Sequence, residues 1–162
     1  MPPSSPDFFA ILEALAGQDV AFILVGGLAA VVQGAPVVTT DVDIVHLRSD
    51  ENLARLLSAL RQLDAVYRHH SARIAPNETH LVGPGHQLLS TNRGNLDVLG
   101  SIDGGRAFED LIESTRAVDF EGFSCRVLEL SELIEVKARA GRDKDLAALP
   151  ALRSTLALRE EE

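Results

Sequence analysis

The amino-acid sequence predicts an α/β (α+β) fold, a mixed β-sheet flanked by helices with further helices at its C-terminal end. Three observations carry that expectation. The apolar run Phe22-Ile23-Leu24-Val25 stops at Gly26-Gly27 and passes into Leu28–Gln33, as a strand turning into a helix would. Asp41-Val42-Asp43-Ile44-Val45 alternates polar with apolar residues, the period of a strand with one buried face. Beyond Ser131, leucines recur at helical spacing almost to the end of the chain. With 162 residues and 46% hydrophobic content, one ordinary domain is expected over 1–162, its sheet spanning about 20–127 and its C-terminal helices about 131–158.

Taken in order, Ser5-Pro6-Asp7 reads as an N-cap, a first-turn proline and a first-turn acid. Phe8, Ile11, Leu12 and Leu15 then follow at helical spacing, and Gly17 closes that helix. After the Phe22–Val25 strand and the glycine pair, the short helix ends at Gly34. Ser49-Asp50-Glu51 caps a helix running to about Leu63, with Leu53, Leu56, Leu57 and Leu60 as its buried stripe. Tyr67 to His86 carries the weakest pattern: His69, His70, Arg73, His80 and His86 lie among Pro76, Gly83, Pro84 and Gly85. No spacing there matches a zinc site, so these are expected to be solvent-facing residues.

Gln87–Ser90 and Asn95–Leu99 read as two strands around a turn containing Asn92 and Gly94. Arg106 to about Ser114 reads as a helix, and Ala117–Phe120 with Phe123–Val127 as a hairpin about Glu121-Gly122. Ser131 is the expected N-cap of a helix from Glu132 to about Ala140 that carries Leu133, Ile134, Val136 and Ala140 inward and breaks at Gly141. A second helix starts near Arg142 and runs through Leu146, Leu149, Leu152 and Leu156, with Pro150 limiting its regularity.

The chemistry is concentrated at the glycine pair and the alternating acids. In a strand Asp41 and Asp43 share one face, where two carboxylates repel unless a cation lies between them. Mg²⁺ is such a cation, typically held by one or two carboxylates together with substrate phosphates. Glycine at a strand-to-helix junction lets backbone N–H groups approach an anion, and the helix dipole favours negative charge there, so Gly26 and Gly27 suit a phosphate. Asp97, flanked by Leu96 and Val98, projects opposite to its apolar neighbours and could supply a third carboxylate. Asp103, in the glycine-rich turn Ser101-Ile102-Asp103-Gly104-Gly105, is its competitor; Asp97 is preferred because a strand orients a carboxylate better than a flexible turn.

Gly26-Gly27 followed by Thr40-Asp41-Val42-Asp43-Ile44-Val45 resembles the signature of the nucleotidyltransferase superfamily with the DNA polymerase β type fold. Within it the chain is most similar to the small bacterial AbiEii/MNT-like group, known from toxin–antitoxin systems. The resemblance implies a Mg²⁺ (or Mn²⁺) ion on Asp41, Asp43 and Asp97, with an NTP as substrate. It places the third acid on a later strand beside the first two, where Asp97 is the match. Glu132–Leu152 resembles the group's C-terminal signature, with Lys137, Arg142, Lys144 and Asp145 matching; Lys137 would neutralise triphosphate charge. Two positions depart from the pattern. Val37 stands where many relatives carry arginine, so that arginine's substrate contacts do not carry over, and Asp143 stands where relatives often have proline.

The reaction so implied transfers NMP to a hydroxyl acceptor: the 3′ end of tRNA, a protein hydroxyl or a small molecule. A toxin–antitoxin partner protein is a further implication. The alternative is a non-catalytic nucleotide- or partner-binding module of the same fold. A net charge of −9 argues against non-specific nucleic-acid binding, which needs a basic surface. The single cysteine, Cys125, allows no internal disulfide and reads as core packing. No apolar run is long enough to cross a membrane and Met1–Phe9 lacks a signal-peptide pattern, so a cytoplasmic location is expected.

Overall fold

A computed structural model describes residues 5–161. They form one seven-stranded mixed sheet with helices packed on it. The strands are β1 (Phe22–Val25), β2 (Asp41–His46), β3 (Val66–Tyr67), β4 (His86–Thr91), β5 (Gly94–Leu99), β6 (Thr115–Phe120) and β7 (Phe123–Leu128), in the order β3-β4-β5-β2-β1-β7-β6. The pairs β2–β5 and β1–β7 are parallel and the remaining neighbours antiparallel. The helices are α1 (Phe8–Gly17), α2 (Gly26–Val31), α3 (Asp50–Gln62), α4 (Glu78–Leu81), α5 (Phe108–Leu111), α6 (Leu130–Ala140) and α7 (Asp143–Glu160). None of the described helices is long and apolar enough to cross a membrane.

The alternation in β2 and β5 sorts their side chains into two faces. Val42, Ile44, Leu96 and Val98 are fully buried, whereas Asp41, Asp43, Asn95 and Asp97 retain partial exposure. Helix α1 lies across β7, β2 and β5 and packs on α3. Its Ile11, Leu12 and Leu15 are completely buried, each contributing about 1.5–3 kcal/mol by leaving water. Asn52 is also buried, yet fully partnered: it accepts from Ala21 N–H at 2.7 Å and donates to the Ala21 and Leu47 carbonyls, tying α3 to the ends of β1 and β2.

On the other side α2 packs on β1, β2 and α6, and α6 packs on α7. Gln33 is the tie there. It donates to the Leu128 carbonyl at 2.8 Å and accepts from Leu130 N–H at 3.1 Å, while Arg159 from the end of α7 reaches the Gln33 carbonyl at 3.3 Å. The helix corner is thereby held against the sheet.

Several element ends differ from expectation. Asp7, not Ser5, caps α1, its carboxylate accepting from Ala10 N–H at 3.0 Å. Helix α2 begins on the glycine pair itself and ends at Val31, three residues before Gly34. The 106–114 segment is a single turn, α5, followed by a 3₁₀ turn, because Arg106 pairs back to Ile102 instead of entering the helix. Helix α6 starts at Leu130, so Ser131 lies inside it and does not cap it, and Ala140, expected to face inward, is exposed in its last turn. Helix α7 runs unbroken through Pro150, whose exposed position leaves water to satisfy the carbonyl that loses its partner.

Candidate active site

Residue-for-residue pairing of β2 with β5 sets Asp43 opposite Asp97 and Asp41 opposite Asn95. Partners on adjacent strands share a face, so the acids of the Asp41-Val42-Asp43 motif and Asp97 come together as the alternation predicts. The Asp43 and Asp97 carboxyl groups therefore face one another across the two strands. Burial first, then the carboxyl of Asp97 beside it and the negative charges of Asp97 and Asp41, push the Asp43 carboxyl up to about 7, against a smaller opposing pull from Lys137. Asp41 has a milder neighbour, the Asn95 amide, which donates to its Oδ1 at 3.2 Å.

The glycine pair has a close steric reason. Val25 lies opposite Asp43 in the β1–β2 ladder, so the next residue, Gly26, turns directly over that carboxylate. Gly26 has φ +71°, and a Cβ there would stand 2.2 Å from Asp43 Oδ2. A Cβ on Gly27 would stand 2.9 Å from Thr39 Oγ1, the hydroxyl that donates to the Asp41 carbonyl at 3.0 Å. Both glycines therefore clear space for the entry and the second acid of β2.

The cations stand at the α6–α7 corner. Lys137 and Arg142 both lie within electrostatic reach of Asp43. Asp145, 2% exposed, accepts from Arg142 Nε at 2.6 Å and Nη2 at 3.2 Å, and has Lys137 Nζ at 3.7 Å. The Arg142 hydrogen bonds hold its carboxyl below the ordinary range. Lys144 is exposed. Asp103, the competing candidate for the third acid, is engaged elsewhere: Arg139 forks onto it at 2.7–3.1 Å and Arg106 donates at 3.0 Å. Arg106 also meets Glu132 at 2.5 Å, so this cluster fastens the turn after β5 to α6, the helix that carries Lys137.

One participant escaped the sequence analysis. Arg68, just past β3, donates from Nη2 to Asp97 Oδ1 at 2.6 Å and from Nη1 to the Leu89 carbonyl at 2.7 Å. Nothing in its local sequence marks it out, because its partner lies two strands away. Arg73 and the nearby His69 and His70 are exposed, as expected of that segment. His80 closes the capping box of α4 with Asn77, and His86 bonds the Ser101 carbonyl at 3.0 Å.

Among the described residues, no three His, Cys, Asp or Glu side chains are already assembled into a metal cage. What is assembled is a carboxyl pair, Asp43 with Asp97, and Asp41 two residues along the same face. That all-oxygen set, burdened by its own charge, fits a hard divalent cation.

Comparison of the sequence with family models and with curated proteins finds no match. Solved structures with a similar fold include the lincosamide antibiotic adenylyltransferase LnuA with lincomycin bound, at 14% identity and a TM-score of 0.62, covering 91% of this chain and 95% of that one. A second is TM1012 of Thermotoga maritima, described as a candidate nucleotidyltransferase, at 19% identity and a TM-score of 0.56, covering 88% of each chain. The mixed seven-stranded sheet with its flanking helices is thus a nucleotidyltransferase-type α/β fold.

Proposed function

We propose that the chain is a metal-dependent nucleotidyltransferase, moving NMP from an NTP to a hydroxyl acceptor. The observation that carries this reading is the β2–β5 register, which seats Asp43 against Asp97 at an electrostatic cost that folding alone does not require. Asp41, Asp43 and Asp97 would hold Mg²⁺ or Mn²⁺, and the bound cation would neutralise the NTP phosphates and the charge of the leaving oxygen. The acceptor oxygen bonds to the α-phosphorus as the bond from that phosphorus to the bridging oxygen breaks. The bridging oxygen keeps the electron pair and leaves as pyrophosphate. Asp97 takes the acceptor proton. Lys137 adds positive charge beside the phosphates, and the N–H groups of Gly26 and Gly27 donate to them where α2 begins.

A small hydroxylated molecule is the acceptor we favour. LnuA, of similar fold, is described as an antibiotic adenylyltransferase, and the net charge of −9 suits RNA poorly. A tRNA end, or a protein hydroxyl within a toxin–antitoxin pair, would appear as other outcomes of the same test. One observation favours a second reading, a binding module without catalysis: Asp97 already has an arginine partner at 2.6 Å.

The test incubates the purified protein and Mg²⁺ with each α-labelled NTP, alone or with lincomycin, total tRNA or a lysate of its host. Label is expected on a small molecule, and Asp41→Asn or Asp43→Asn should abolish it. Undiminished labelling by either variant would sink the assignment. No transfer together with no Mg²⁺–NTP binding would leave the binding module in front.

A further inference from the structure

Resting on that reading of the site, we propose that Arg68 is a positioning residue for Asp97. It fixes one oxygen of the carboxylate so that the other faces the acceptor hydroxyl.

The geometry is a row running across the sheet. Leu88 on β4 is in register with Asp97 on β5, which is in register with Asp43 on β2. Arg68 extends the row on the β3 side, its backbone N–H donating to the Leu88 carbonyl at 3.0 Å. From there its side chain crosses β4 to Asp97. The guanidinium is tethered midway by Nη1 on the Leu89 carbonyl at 2.7 Å, leaving Nη2 to meet Asp97 Oδ1 at 2.6 Å. The two side chains are only 14% and 15% exposed, so the charge-assisted bond forms away from most solvent screening and is directional.

A purely structural tie does not need this carboxylate. Strand β3 is already joined to β4 through Val66 with Ser90, Tyr67 with Leu89, and the Arg68 backbone. Among the described residues, Asp97 is the one acid of the three with a cation in salt-bridge contact; Asp41 has an amide neighbour, and Lys137 acts on Asp43 through space. A tethered arginine thus distinguishes Asp97 from the other two. It singles out the acid that takes the acceptor proton, and it restrains that carboxylate through Oδ1.

The experiment compares wild type with Arg68→Lys, Arg68→Gln and Arg68→Ala in nucleotide transfer, using the acceptor labelled among lincomycin, tRNA and lysate. Misplacing a reacting group by about 1 Å can cost about 100-fold. Arg68→Gln should therefore lose about that much in kcat, with the KM for NTP changed by less than about threefold. Arg68→Lys should fall between, and added guanidinium should restore part of the Arg68→Ala rate but none of the rate of Asp97→Asn. A kcat for Arg68→Gln within about twofold of wild type would overturn the proposal, as would a loss seen only in KM. Should the wild type transfer nothing, nucleotidyl transfer fails as the function, and crystal structures of wild type and Arg68→Gln decide the positioning claim by themselves. A changed Asp97 rotamer in the variant supports it; an unchanged one refutes it.

Discussion

The β2–β5 seam and the α6–α7 corner each gather charged side chains, but in opposite ways. In the seam, like charges meet: Asp43 faces Asp97 beside Asp41, and its carboxyl is pushed up to about 7. At the corner, opposite charges meet: the buried Asp145 carboxylate is matched by Arg142 and Lys137, and Asp103 nearby is matched by Arg106 and Arg139. The corner's acids help the chain to fold, whereas Asp43 in the seam works against it. A stabilising charge explains itself, while a costly one calls for a ligand that repays it.

The strongest way to break the contrast is steric. Gly26→Ala would place a Cβ 2.2 Å from Asp43 Oδ2 at a backbone φ of +71°, so either the carboxylate or the turn must move. We expect the largest combined effect here: transfer falling about 100-fold or more, with stability down by about 1–3 kcal/mol. Denaturant titration and transfer rates on one preparation check both.

The seam itself is tested by pH. The folded Asp43 carboxyl lies above its ordinary value of 3.8, so the metal-free protein binds more protons folded than unfolded. Its contribution is present in full below about pH 4 and is lost as pH rises toward about 7, a change of the order of 2–4 kcal/mol. Asp43→Asn should remove that part of the slope and leave the metal-free protein more stable than wild type near neutral pH. Urea melts between pH 4 and pH 8 would show it; parallel slopes would contradict it.

The corner should behave the other way, and more mildly. Asp145→Asn leaves Arg142 and Lys137 without their shared acid, but Arg142 is mostly exposed and water recovers part of the loss. A destabilisation of about 1–2 kcal/mol is expected in the same melts. Stability equal to wild type would erase the distinction between the two regions.

What could be read in advance follows from the range of each interaction. The alternation of Asp41 to Val45 and of Asn95 to Leu99 settles which face each acid takes, so the meeting of Asp43 with Asp97 was legible once the two strands were taken as neighbours. The glycine pair was legible as a junction. Its steric role was not, because it depends on Val25 lying opposite Asp43, a matter of register. Arg68 was invisible because it follows a strand of two residues and reaches across another strand to its partner. The start of α6 was misplaced because Ser131 looks like a cap, while the helix begins one residue earlier at Leu130, whose N–H is met by Gln33 nearly a hundred residues upstream.

We propose that the seam receives a divalent cation together with a nucleoside triphosphate. The most direct measurement is the melting temperature of metal-free wild type and Asp43→Asn at pH 7.5, with and without millimolar Mg²⁺ and ATP, because ligand that binds only the folded state raises it. Wild type should gain several degrees and the variant almost nothing. Equal shifts in both, or none in wild type, would contradict the account.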